Sequence, residues 1–158
     1  MDEIRRGDDE LLQLVTFSIG EEEFGVDILK VQEIIRTMEI TKVPRAPEFV
    51  EGVINLRGKV IPIIDLRRRF SLTTRSHDSN TRIIVIEITQ MIVGFVVDAV
   101  SEVLRIPVDT VEPAPPVVAG LDSDYISGVG KLHDRLLILL DLDRLLSADD
   151  IEMLSDLA

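Results

Sequence analysis

The feature that most constrains this chain is a repeat. Residues 51–70, EGVINLRGKVIPIIDLRRRF, align without gaps on residues 127–146, SGVGKLHDRLLILLDLDRLL, pairing Gly52 with Gly128, Leu56 with Leu132, Asp65 with Asp141 and Arg68 with Arg144. Upstream, residues 24–36, FGVDILKVQEIIR, align on residues 93–105, VGFVVDAVSEVLR, where Gly25/Gly94, Val31/Val100, Glu33/Glu102 and Arg36/Arg105 are identical. Two matches in the same order describe one unit of roughly 65 residues present twice. A unit of that size buries little core alone, so the two copies are expected to share one.

Each copy opens on a β-branched run, Leu14 to Ile19 and Ile83 to Ile88, followed by a turn and a second strand through Gly25 or Gly94. Asp27 and Asp98 are placed to cap short helical turns, and Ile28, Val31 and Ile34/Ile35 recur at a helical spacing that predicts a first helix. Phe49 to Leu56 and Lys59 to Leu66 flank Arg57-Gly58, a hairpin signal. Pro62 lacks an N–H, which predicts an edge or a bulge for its strand. Asp65 starts a helical turn, and Ser147-Ala148-Asp149-Asp150 leads into an amphipathic helix over Ile151 to Leu157.

Short strands, short connections and brief helices predict a mainly β protein of two small, pseudo-repeated SH3-like barrels sharing a hydrophobic core. The expected divisions are a flexible N-terminal arm (1–13), a first barrel (14–81), a second barrel (82–146) and a C-terminal helix (147–158).

Composition narrows the chemistry. The chain has no cysteine, which removes disulfides, thiolate metal sites and thiol nucleophiles. Its net charge of −12 opposes nucleic-acid binding. Divided at Asn80, the first half carries −3 and the second −9, with positive charge gathered at Arg57, Lys59, Arg67, Arg68, Arg69 and Arg75. The Arg67–Arg69 trio reads as a solvated face or as a docking patch for an acidic surface. No run reaches the roughly 20 apolar residues of a membrane span, and residues 1–13 lack a signal-peptide core, so a cytoplasmic location is expected.

Neither histidine finds a catalytic setting: His77 lies in a polar loop stretch, and His133 stands beside Asp134 in a turn without a nucleophile. Asp122-Ser123-Asp124 is too short for a calcium loop. No metal, cofactor or catalytic residue is expected. Glu112 to Pro116 is a stiff connector that either spaces two strands or docks a partner. Val31 and Glu33 beside Arg57 form a better interaction patch. Arg57 offers five planar donors at a turn tip between Asn55 and Gly58, and Gly58 admits a close backbone. A small-ligand binder or an enzyme using a cleft between the barrels is the competing class.

At these residues the chain resembles the CheW-type chemotaxis coupling proteins. Glu51 to Arg67, EGVINLRGKVIPIIDLR, is similar to that family's signature, and Gly25 to Ile35 and Val93 to Arg105 are similar to its other motifs. The resemblance runs from Leu12 to the C-terminus. It implies two barrels around a shared core and a non-catalytic adaptor, cytoplasmic and recruited to membrane receptor arrays. Such an adaptor joins the regulatory domain of the histidine kinase CheA to the cytoplasmic tip of methyl-accepting chemoreceptors. Carried onto matching positions, it implies a receptor-facing role for Val31, Glu33 and Arg57, with Arg82 and Ile83 near the same groove. For kinase contacts it suggests only the second copy around Gly94, Val97 and Asp98.

Overall fold

The computed structural model describes residues 10–115, 117–118 and 121–157. Two curled sheets dominate. In the first half, β1 (Leu11–Ile19), β2 (Glu22–Asp27), β3 (Val31–Arg36), β4 (Val50–Leu56) and β5 (Lys59–Asp65) lead into a single helical turn, α1 (Leu66–Arg69). The second half supplies β6 (Arg82–Ile88), β7 (Met91–Val97), β8 (Ala99–Pro107), β9 (Val111–Glu112), β10 (Val117–Val118), β11 (Leu121–Asp122), β12 (Ile126–Lys131) and β13 (Leu136–Leu140). It closes on α2 (Ala148–Ser155).

The sheets do not follow the sequence repeats. One has the order β8-β1-β2-β13-β12-β9 and the other β3-β6-β7-β5-β4, while β10 and β11 pair only with each other. The opening hairpin of each half therefore lies in the sheet built mainly from the other half. The bounds 14–81 and 82–146 divide the repeats but not the barrels. β2 meets β13 in parallel, Phe24 opposite Ile138, and β5 meets β7 in parallel, Ile63 opposite Gly94, so the exchange is symmetric.

Strand alternation explains the core. In β6, Ile84, Ile86 and Ile88 face the space between the sheets with Phe17, Phe24, Phe95 and Ile138, while Ile83 and Val85 face a smaller cluster with Ile54, Ile61, Ile63 and Val96 inside the second sheet. Leu14, Ile106, Leu137 and Leu139 fill the corresponding interior of the first. The space that a cleft between the barrels requires is thus packed. The void among Phe17, Val26, Leu66, Ile84, Phe95 and Leu142 holds only about 10 Å³, room for at most a single water and none for a small ligand.

Four expectations are corrected. Beyond one 3-10 turn at Ile28–Lys30, capped by Asp27 accepting from the Leu29 amide at 2.9 Å, the predicted first helix is strand β3. Its β-branched residues also fit an alternating pattern, and pairing with β6 decides the matter. Asp98 caps no helix, because β8 follows it directly. The strand containing Pro62 is central, between β7 and β4. Its neighbour Val53 turns both N–H and C=O toward Thr41, each bond 2.9 Å, so nothing is required of the missing Pro62 N–H on that side. Finally, Leu11 to Gln13, assigned to the arm, belong to β1 and pair with β8; of the rest of the arm, the Glu10 carbonyl accepts from the Val108 amide at 3.1 Å and residues 1–9 lie outside the described residues.

Other turns form as their residues dictate. Arg57 (φ 53°) and Gly58 (φ 87°) reverse the β4–β5 hairpin, and the Asn55 Oδ1 accepts from the Gly58 amide at 2.9 Å. Asp65 caps α1 through the Arg67 amide, and Ser147 with Asp150 forms a capping box for α2. Glu112 pairs in β9, Pro113 to Pro115 carry no regular structure, and Pro116 lies outside the described residues.

Candidate functional site

The second sheet has two ends. At one, the β4–β5 turn carries Arg57 across to Glu33 on β3, where the guanidinium makes a two-pronged ion pair, Nη2 to Oε1 and Nη1 to Oε2. Glu33 thereby raises the already basic Arg57 further. A β-bulge between Val31 and Glu33 sets the side chain's direction. Beneath the pair lies a hollow of about 230 Å³ lined by Leu56, Lys59, Ile61, Val85 and Ile92. That is below the ~300–1,000 Å³ of small-molecule pockets, and its apolar floor with an ionic bridge suits side chains of a protein partner.

Val31 begins β3 half-buried, packed against the core between the sheets. Asn55 and Gly58 sit in the turn beneath Arg57. Leu29, next to this edge, is 88% exposed, the most exposed large hydrophobic among the described residues. Sequence reasoning passed over it because the segment read as a helix face. Its signal was the position itself, a leucine one residue past the Ile28 that follows a capping Asp.

The remaining implied residues are elsewhere. Arg82 lies at the opposite end of β6, opposite Arg36, and donates to the Ser79 and Thr81 carbonyls at 2.9 and 2.8 Å. Ile83 has no exposed surface and belongs to the interior of the sheet. Gly94 is there for packing: a Cβ would stand 2.7 Å from Ile83 Cγ2 and 2.8 Å from Ile63 Cδ1. Val97 is buried between the sheets. None of these three offers a surface to a partner.

Asp98 is a junction. Placed where the chain leaves one sheet for the other, it accepts from Arg67 Nε and Nη2 at 3.0 and 2.6 Å and from the Gly20 amide at 2.7 Å. Arg75 stands 3.7 Å away. Burial alone would raise this carboxyl, but those hydrogen bonds and the charges of Arg67 and Arg75 hold it below the usual carboxylate range.

Of the arginine trio only Arg68 keeps the expected solvated face; Arg67 and Arg69 are half-buried and spent on contacts within the molecule. Arg67 holds Asp98, Arg68 reaches Asp65 at 3.5 Å, and Arg69 donates to the Leu145 carbonyl at 2.7 Å. The Arg69 guanidinium also lies 5.1 and 5.2 Å from the ring centres of Phe49 and Tyr125. His77 pairs with Glu51 at 3.1 Å, and His133 sits exposed in its turn. Among the described residues no three His, Asp or Glu side chains gather as a metal site would require.

The CheW-like domain profile matches residues 13–150. The chain belongs to the CheW-like family. It is 42% identical to the chemotaxis protein CheW of Klebsiella aerogenes over 146 residues, 92% of this chain and 88% of that one. With the chemotaxis protein CheW of Treponema pallidum it shares 35% over 153 residues, 94% and 90% of the two chains. The crystal structure of the scaffolding protein TtCheW from Thermoanaerobacter tengcongensis superposes with a TM-score of 0.81 at 42% identity, covering 88% of this chain and 90% of that one. These relationships make the chain a chemotaxis scaffold, a binding module and not an enzyme. No described helix is long and apolar enough to cross a membrane.

Proposed function

We propose that this chain couples the regulatory domain of the histidine kinase CheA to the cytoplasmic tip of methyl-accepting chemoreceptors, working in the cytoplasm at membrane receptor arrays. The observation that carries the receptor side is the Glu33–Arg57 pair bridging an apolar hollow at an exposed hairpin tip. An amphipathic helix laid there sets apolar side chains against Ile61 and Ile92 and its own charges against the pair, with Leu29 and the start of β3 at the margin. Val31, Asn55 and Gly58 act beneath this surface by shaping it. For the kinase, Asp98 contributes by holding the joint between the sheets, since Gly94 and Val97 are enclosed.

The test combines receptor-bearing membranes, CheA and this protein. Addition is expected to raise CheA autophosphorylation and to bring the protein down with the membranes. The Arg57→Glu variant is expected to stay in the supernatant with an unchanged melting temperature. Unchanged kinase activity together with failure of the unaltered protein to co-sediment defeats the coupling role, while normal sedimentation of the variant defeats only the assignment of Arg57. Single contacts of this kind gain strength from the repetition of sites in an array.

A further inference from the structure

The symmetric exchange of hairpins has a consequence for how this chain meets a second copy of itself. The strand pairs β1·β8, β2·β13, β3·β6 and β5·β7 all join residues 10–70 to residues 82–157. The core between the sheets is equally mixed, with Phe17, Phe24 and Leu66 from the first half against Ile86, Phe95 and Ile138 from the second. Neither half completes a sheet or covers its apolar face without the other. A single connector, residues 71–81, passes between them. Its side-chain ties to the rest of the molecule are few, among them Arg75 to Asp98 at 3.7 Å, His77 to Glu51 at 3.1 Å and Arg67 to the Thr73 carbonyl at 2.9 Å, with Thr81 buried where β6 begins.

We propose that a second copy of this chain can replace either half, giving a two-chain particle in which residues 10–70 of each copy complete residues 82–157 of the other. Every strand pair and core contact of the single chain recurs in that particle. Only the connector changes, from a loop turned back on its own molecule to a bridge, and 11 residues reach up to ~36–40 Å when extended. Exchange of this type is an inexpensive route to dimers because the interface is the native one. Since the halves share a buried core, they must part before they trade. Exchange therefore accompanies folding and does not follow from mixing folded molecules.

The experiment uses full-length chains bearing two different affinity tags, unfolded together in concentrated urea and refolded by dilution at low and at high protein concentration. At high concentration light scattering is expected to show a species of twice the chain mass, and sequential capture is expected to find both tags in half of it. At low concentration the single chain prevails, and folded preparations mixed without urea give no mixed-tag species. Single chains at every concentration overturn the proposal, as does a mixed-tag complex formed by simple mixing, which marks ordinary surface association. A second measurement is independent of refolding yield: the connector is cut at Arg75 in the folded protein. The two fragments are expected to elute as one particle and to separate only in denaturant. Separation in native buffer overturns the interlock on which the proposal rests.

Discussion

The two halves carry one device in two states. In the first, Glu33 meets Arg57 at the turn; in the second, its repeat partner Glu102 meets Arg135, just past the His133-Asp134 turn, at 3.1 Å. Arg135 also reaches Glu23 at 3.2 Å, so two acids hold it in place. Below Arg57 the sheet interior is open to the outside, whereas the matching region of the other sheet is filled by Leu104, Val111 and Leu132 packed on Leu14, Ile106 and Leu137. The duplicated acid meets a cation from a different hairpin position in each copy, since Arg57 aligns on His133 and Arg135 on Lys59. The difference teaches that the pair alone does not make an interaction site; the apolar floor beneath it does.

The joints between sheets diverge in the same way and offer the strongest test. Asp98, with 12% of its side chain exposed beside Arg67, is far more committed than Asp27, which caps one exposed turn. Asp98→Ala is expected to cost about 3 kcal/mol and Asp27→Ala about 1 kcal/mol, read from urea midpoints; equal losses erase the contrast. The sign of the pH effect follows from the lowered Asp98 pKa. The unfolded carboxyl binds a proton first as pH falls, so this stabilisation is complete above ~4 and drains away below it. Asp98→Asn is accordingly expected to flatten the acid limb of the stability curve.

The paired glycines come next. A Cβ on Gly52 would stand 2.3 Å from the Thr41 carbonyl oxygen, a backbone atom bound into the Thr41–Val53 exchange. On Gly128 it would meet the Val111 side chain at 2.6 Å and the Glu112 carbonyl at 3.1 Å. Gly52→Ala is expected to cost about 2–3 kcal/mol and Gly128→Ala nearer 1 kcal/mol, because a side chain gives way more readily than a strand. Thermal or urea unfolding of both variants checks the order.

For function, Arg57→Glu is expected to weaken co-sedimentation with receptor membranes at least ~10-fold, a loss of about 1.4 kcal/mol. Arg135→Glu, which removes the cation that meets Glu102 in the other sheet, is expected to leave sedimentation unchanged; an equal loss from both variants breaks the distinction between the two ends. The smallest effect concerns the caps. Asp65 is almost buried and also faces Arg68, so Asp65→Ala is expected to cost about 1–2 kcal/mol. Asp141→Ala, with the more exposed carboxylate, is expected to cost about 0.5 kcal/mol.

Much of this was legible in the residues. The repeat announced two related barrels, Arg57-Gly58 announced its hairpin, and Asp65 and Ser147 announced their caps. A repeat, however, says which segments are equivalent and not which copy a strand joins, so the exchange of hairpins stayed hidden. Ile28, Val31 and Ile34/Ile35 satisfy a helical and an alternating period together, and only the presence of β6 alongside decides between them. Ile83 and Val97 lie in unbroken apolar runs where both faces are covered, so the sequence could not tell that they point inward. Pro62 misled for a different reason: the rule concerns the missing donor, and here Thr41 supplies the bonds of the strand opposite.

The pairing of Phe24 with Ile138 also bears on synthesis. As the chain leaves the ribosome its first hairpin emerges early but has no lasting partner until β8 and then β13 follow. The sheet holding Arg57 needs nothing beyond Val97, so it can close while the rest is still being made. The β1–β2 hairpin, made before the strands that cover it, is therefore among the last parts to be locked. Through that interval Phe17 and Phe24 are open to solvent, in a state where the growing chain depends on speed or on chaperones to avoid aggregation.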